Sequence, residues 1–191
     1  KQSYFFDGDG DVIDMGTAPH ELGSGDAANY SFEAYFKTPD IVTDQIILFH
    51  SNADSTNYRK ALGIKDSKIR FFYYDSSGTG WKAVLADIEA DRWYHVVGTR
   101  SGTVQSIYLN GVFISSTNVA TGYVFSSVAG RRAVGANYNG GANTTDRYFK
   151  GDIGKVRIYN RVLSADEVKA SYSGQAVPFS DVGANQTSIV T

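Results

Sequence analysis

The sequence predicts an all-β fold, a two-sheet antiparallel β-sandwich with one short C-terminal helix. Three observations predict it. Short alternating or aromatic-rich runs recur along nearly the whole chain at intervals that suit strands joined by turns. Glycine outnumbers proline 20 to 3, beside 13 Tyr and 11 Phe in 191 residues, a composition that favours many strands over helices. Two-residue turn pairs, Asp66-Ser67 and Asn110-Gly111, fall between alternating runs, and Asn-Gly is the strongest short hairpin signal.

Twelve strands are expected in order, at 3–6, 12–15, 31–37, 46–51, 60–65, 68–75, 82–86, 94–100, 105–109, 112–116, 132–136 and 151–159. Asp66-Ser67 joins ALGIK to KIRFFYYD, and the run DSSGTG joins FFYY to the strand that opens at Trp81. Tyr73 and Tyr74 alternate faces, so one of them enters the core. The strand RWYHVVGTR precedes QSIYLNGVFISS, which folds back on itself at Asn110-Gly111. In the last strand Lys155, Arg157 and Tyr159 alternate with Val156, Ile158 and Asn160, the period of a half-buried strand. Ser164 and Glu167 then form a capping box for a helix over 165–171, with Gly174 as its stop.

Hydrophobic residues at 42% place the chain among globular proteins, and its length is enough to bury a real core. The formal net charge is −2 and no stretch clusters Lys and Arg, which excludes nucleic acid as the expected partner. No apolar run is long enough to span a bilayer, so membrane insertion is not expected. Lys1-Gln2-Ser3 carries no signal pattern, and the chain reads as a mature or excised fragment. The absence of cysteine removes disulfides, thiol nucleophiles and thiolate metal sites, and leaves secretion open. Past Gly174 the texture changes, which divides the chain into a domain at 1–176 and a linker or the start of a following module at 177–191. The segment DVGANQTSIVT resembles the opening of an immunoglobulin-like repeat of the polycystic-kidney-disease type. Its alternative is a strand or tail that completes the first domain.

The runs FDGDGDVIDMG at 6–16, YSFEAYFKTPD at 30–40, WYHVVGTR, IYLNG and FKGDIGKVRIYNRVLS follow one another in an order that resembles the bacterial laminin-G-like jelly rolls of the concanavalin A-like lectin/glucanase superfamily. The resemblance spans residues 3–174. It implies one structural calcium ion, held by backbone carbonyls of Phe6, Asp7 or Gly8 and the Asp152 carboxylate, with Asp9 or Asp26 adding oxygen. Hard oxygen donors of this kind suit calcium. Many relatives carry an acidic pair where this chain has Gly154-Lys155, so one ligand is missing. The alternative is that Asp7, Asp9 and Asp152 stabilise turns. The alternation of Asp and Gly at 7–11 is not an EF-hand, because Val12, Ile13 and Met15 continue a strand where a bidentate Glu and a helix would be needed.

Glucanases share this superfamily, and glycoside hydrolysis needs two carboxylates across the scissile bond. The pattern E-x-D-x-x-E is absent, Glu33 stands alone in SFEAYF, and Asp87, Glu89 and Asp91 occupy a turn. His20 falls in a Pro-containing loop, His50 ends a strand, and His95 reads as a structural hydrogen bonder within WYHVV. No triad is completed, so a catalytic role is not expected of this fragment.

Sugar binders combine an exposed aromatic plate with polar donors and acceptors. Two segments have that mix. One is Tyr58 and Arg59 with the hairpin ending at Trp81, and the other is Asn137, Tyr138, Asn139 and Arg147 in the glycine-rich run GANYNGGANTTDR. The alternative has Trp81 folded onto its strand and Tyr138 capping a sheet edge. The expected function is a non-catalytic carbohydrate-binding, lectin-like module of an exported bacterial protein, secreted or at the cell surface, with a polysaccharide as partner. The alternative is a protein-binding or spacer module of a surface adhesin.

Overall fold

A computed structural model describes residues 3–18, 22, 28–51, 58–75, 80–119, 130–139 and 144–174. Its strands are β1 (Tyr4–Asp7), β2 (Ile13–Ala18), β3 (Asn29–Lys37), β4 (Gln45–Ser51), β5 (Tyr58–Lys65), β6 (Lys68–Asp75), β7 (Gly80–Asp87), β8 (Tyr94–Ser101), β9 (Val104–Leu109), β10 (Val112–Asn118), β11 (Gly130–Val134), β12 (Asn137–Asn139), β13 (Thr144–Asp146) and β14 (Lys150–Tyr159), followed by α1 (Ala165–Tyr172). All twelve expected strands are present with ends shifted by a few residues, and β12 and β13 arise where the sequence predicts a loop. The expected boundary at 176 and residues 177–191 lie outside the described residues.

The strands form two six-stranded antiparallel sheets. The first runs β1-β14-β3-β8-β9-β10, the second β2-β11-β4-β5-β6-β7, and β12-β13 make a small third sheet. Alternation explains the layering. Phe32, Ala34 and Phe36 of β3 enter the core with Leu62, Ile64, Ile69, Phe71, Val96 and Ile107, while Ser31, Glu33 and Tyr35 face outward from the first sheet. At Gly98 the sheets approach so closely that a Cβ would stand 2.2 Å from the Phe71 ring. Tyr73 is the buried member of the Tyr73-Tyr74 pair.

Both two-residue turns have positive φ at each central position, 52° and 62° at Asp66 and Ser67, 50° and 80° at Asn110 and Gly111. These values match the type I′ geometry whose twist suits a hairpin.

The capping box is formed, with the Glu167 N–H donating to Ser164 Oγ at 3.3 Å and the Ser164 N–H to Glu167 Oε2 at 2.8 Å. Arg161 pairs with Glu167 at 2.7 Å, and its hydrogen bond is the main reason the Glu167 pKa falls to about 2. Leu163 and Val168 pack with Val97, Tyr159 and Tyr108, which seats α1 on the outer face of the first sheet.

Candidate ligand-binding site

The expected binding residues fall on β5, β7, β12 and the segment after β13. Arg59, Tyr74 and Trp81 occupy one cross-strand row of β5, β6 and β7. The Arg59 side chain is buried, while Tyr58, Trp81 and Asn139 are described as strand positions only. The run of residues 76–79 between β6 and β7 lies outside the described residues.

Tyr138 corrects the expectation of an exposed aromatic plate. It is 8% exposed and packs with Ile46, Phe49, Ala61, Phe72 and Ala133. Its hydroxyl donates to Asp14 Oδ2 at 2.9 Å, and the Arg131 guanidinium lies 5.1 Å from its ring centroid. The short β12-β13 hairpin covers an apolar patch on the second sheet. Asn137 is buried as well and donates to Asp146 at 2.5 Å. Arg147 holds Asp44 at 3.3 Å, where Arg70 also pairs, and its carbonyl accepts from Ile46 N–H at 3.0 Å.

The acidic turn after β1 shows the carboxylates at structural work. Asp7 Oδ1 accepts from Asp9 N–H at 2.7 Å, and Asp11 Oδ2 from Asp7 N–H at 2.9 Å. Asp152 stands opposite Phe5, and its Oδ1 accepts from Ser3 Oγ at 3.2 Å. Lys150 stands opposite Asp7. No three Asp, Glu or His side chains gather among the described residues, and Asp26 lies outside them. The donors fit calcium in kind, being hard oxygens with unused lone pairs, and would have to be completed by carbonyls of Phe6 and Gly8.

A cleft of about 730 Å³ lies elsewhere, between the end of α1 and the outer face of the first sheet. This volume is within the range of small-ligand sites. Tyr35 of β3 and His95 of β8 pack in a tilted pair with centroids 4.5 Å apart, and Tyr172 of α1 stacks with His95 at 5.8 Å. Trp93, just before β8, and Tyr172 remain 49% and 44% exposed. Asn110 fixes the turn beside them, accepting from His95 N–H at 2.9 Å through its side chain and donating its own N–H to His95 O at 2.8 Å. Gly154 and Lys155 of β14 complete the lining. The Tyr35 hydroxyl donates to the Ser171 carbonyl at 2.9 Å, tying the helix end to the sheet.

Beneath the cleft Glu33 is fully buried and far from alone. His95 Nε2 lies 3.1 Å from Oε1, Ser171 Oγ donates to the same oxygen, Tyr159 donates to Oε2 at 2.7 Å, and Arg157 approaches Oε2 at 3.6 Å. Burial opposes the charge of Glu33, but hydrogen bonds from His95, Ser171 and Tyr159 outweigh it and hold its pKa at about 2. Burial and the Glu33 carboxylate push the Tyr159 hydroxyl pKa well up, so the phenol stays a donor. A carboxylate so placed is a structural node. It is closed to a substrate and is no general acid near neutral pH, and among the described residues no Asp or Glu lines the cleft.

Sequence reasoning missed this site because Trp93 reads as the start of a strand and Tyr172 as the tail of a helix. A legible signal existed. Glu33 and Tyr35 alternate with Phe32, Ala34 and Phe36, placing a charge on a face that the capped helix, packed back, would cover.

The fold is shared with solved structures at low identity. The SAP-like pentraxin of Limulus polyphemus matches with a TM-score of 0.70 and 17% identity over 91% of this chain and 83% of its own. The CBM40 of the Ruminococcus gnavus IT-sialidase, solved bound to alpha2,3 sialyllactose, matches at 0.66 and 15% over 90% and 97%. Domain 4 of AbnA, a GH43 extracellular arabinanase of Geobacillus stearothermophilus, solved with arabinotriose, matches at 0.61 and 22% over 88% and 80%. No curated protein matches. A family model covers residues 7–169, most of the chain, and with it this protein belongs to the laminin-G-type domains of the concanavalin A-like lectin/glucanases superfamily.

Proposed function

We propose that this chain is a non-catalytic carbohydrate-binding module that holds a glycan in the cleft between α1 and the first sheet. The carrying observation is the pair of half-exposed rings, Trp93 and Tyr172, at a cleft backed by Tyr35 and His95. Aromatic faces accept the apolar C–H face of a sugar ring, and polar neighbours such as Asn110 take its hydroxyls. Two of the solved structures of this fold are described with oligosaccharides bound, which supports the reading. In an exported parent the module would raise the effective concentration of a partner domain on a polysaccharide. The described residues hold no helix long and apolar enough to cross a membrane.

Trp93→Ala and Tyr172→Ala test this reading on a glycan array. Each is expected to remove binding while leaving the melting temperature close to that of the parent, because both rings are half exposed. Retained binding in both variants would remove the cleft from the account.

A protein-binding role has one observation in its favour. Edge strand β10 exposes Val112, Phe113 and Ile114 in succession, an apolar run that a protein partner could cover.

Calcium is proposed as a weak structural ion at the turn after β1, held by the Asp152 carboxylate and backbone carbonyls of Phe6, Asp7 or Gly8, with Asp9 as a further oxygen donor. At a tenfold excess over its dissociation constant, calcium should raise the melting temperature by roughly 3–6 °C. Chelator should reverse that rise, and Asp152→Ala should abolish the response. A melting curve indifferent to chelator would eliminate the ion.

A further inference from the structure

We propose that the sandwich interior holds a small inorganic anion of halide size between its two sheets, with Arg100 as the charged ligand. The first observation is a polar row in an otherwise apolar layer. Tyr30 of β3 stands opposite Arg100 of β8, and Arg100 stands opposite Gln105 of β9. Residues directly opposite across antiparallel strands share a face. That face is the inner one, because the Tyr30 ring meets Phe71 of the second sheet at 5.9 Å and the Arg100 guanidinium lies 4.7 Å from the Tyr73 ring centroid. Alternation gives Gln105 the same direction, two residues before core Ile107. All three are buried, Tyr30 and Gln105 completely and Arg100 to within 3%.

The second observation is what these groups leave unmet. Arg100 donates from Nε to the Gly102 carbonyl at 2.9 Å, but its Nη1 has no hydrogen-bond partner, and neither have the Tyr30 hydroxyl and both amide atoms of Gln105. Among the described residues no carboxylate forms an ion pair with Arg100. Buried charges are ordinarily paired, and a guanidinium does not shed its proton. Its field is felt nearby. Burial first and the Arg100 charge second lower the Lys60 pKa to about 7, and Lys60 Nζ lies 4.5 Å from the Tyr30 ring centroid. Water would meet the hydroxyl and the amide but leave the charge. An anion meets both needs, accepting from Arg100 Nη1, Tyr30 Oη and Gln105 Nε2 while balancing the guanidinium. Burial drives the Tyr30 pKa well up, so the phenol remains a donor. One guanidinium and two neutral donors inside a closed layer suit a single-atom monovalent ion, whereas phosphate or a sugar carboxylate brings more lone pairs than the row can satisfy.

The test is thermal melting of the full chain in sodium chloride, sodium bromide and sodium gluconate at equal ionic strength, paired with anomalous diffraction from crystals grown in bromide. Gluconate is an organic anion too large for the interior. A halide at about tenfold its dissociation constant should raise the melting temperature by roughly 3–6 °C over gluconate. The rise should saturate, and a bromide peak should stand within hydrogen-bond distance of Arg100 Nη1. Arg100→Leu should remove the halide response. Should that variant not fold, Gln105→Leu keeps the guanidinium and should need roughly tenfold more halide for the same rise, as loss of one charge-assisted hydrogen bond demands. Equal melting of the parent in all three salts overturns the proposal, as does a halide response that is unchanged in whichever variant folds. Water beside Arg100 Nη1 without a bromide signal overturns it too.

Discussion

Glu33→Ala is expected to destabilise the fold by about 3–5 kcal/mol, the cost of removing one partner from a buried charged cluster. Three donors and a guanidinium converge on this carboxylate. Truncation leaves Arg157, His95, Tyr159 and Ser171 facing a void that their own polarity makes costly. In a domain of this length the loss corresponds to a fall in melting temperature of roughly 6–20 °C. The carboxyl has a folded-state pKa of about 2 against an ordinary 4.5, so its charge stabilises the native state. That contribution is complete above pH 4.5 and is lost as pH falls from 4.5 through 2. The shift corresponds to about 3 kcal/mol of pH-dependent stability. Denaturant titrations at pH 7 and pH 3 should therefore show the gap between parent and variant narrowing in acid. Equal stability of the two at pH 7 would refute the node. Ser171 is also the anchor of the α1 end that carries Tyr172, so hydrogen exchange should speed in α1 before the core strands.

The second large effect is expected at Gly151, where alanine should cost about 4 kcal/mol, combining backbone strain with overpacking. Its φ is +130°, and a Cβ there would lie 2.2 Å from the Lys37 carbonyl oxygen and 2.9 Å from Thr38 Cα. Both contacts are backbone atoms, so no rotamer change relieves them. The strain falls between β14 and β3, where the Thr38 hydroxyl also donates to the Lys150 carbonyl. The variant should express poorly or melt well below the parent, while Gly174→Ala, with open space around it, should pay only for its φ of +84°. Indistinguishable melting of Gly151→Ala and the parent would contradict the close approach.

Strand positions were legible because alternation and turn chemistry are local. Val156, Ile158 and the Asn110-Gly111 turn announce their roles within a few residues. The capping box at Ser164 and Glu167 is equally local, and it forms as expected. The site was less legible because it depends on register and on where the helix lands. That Arg157 stands opposite Glu33, and that β14 carries a bulge against Tyr35, are facts of pairing between segments more than a hundred residues apart. The same limit explains Tyr138. A Tyr among Asn and Gly reads as exposed, yet the short β12-β13 hairpin buries it, because the outer face of the second sheet carries Phe49 and Phe72, which need cover. Trp93 and Tyr172, by contrast, stay half exposed beside α1.

The central claim is that the cleft beside α1 is the glycan site, and the direct measurement is a glycan-array comparison of the parent with Trp93→Ala, Tyr172→Ala and Trp81→Ala. The account predicts selective binding by the parent, loss in the first two variants with folding intact, and retention in Trp81→Ala. Loss in Trp81→Ala alone would place the binding surface on the second sheet and contradict it.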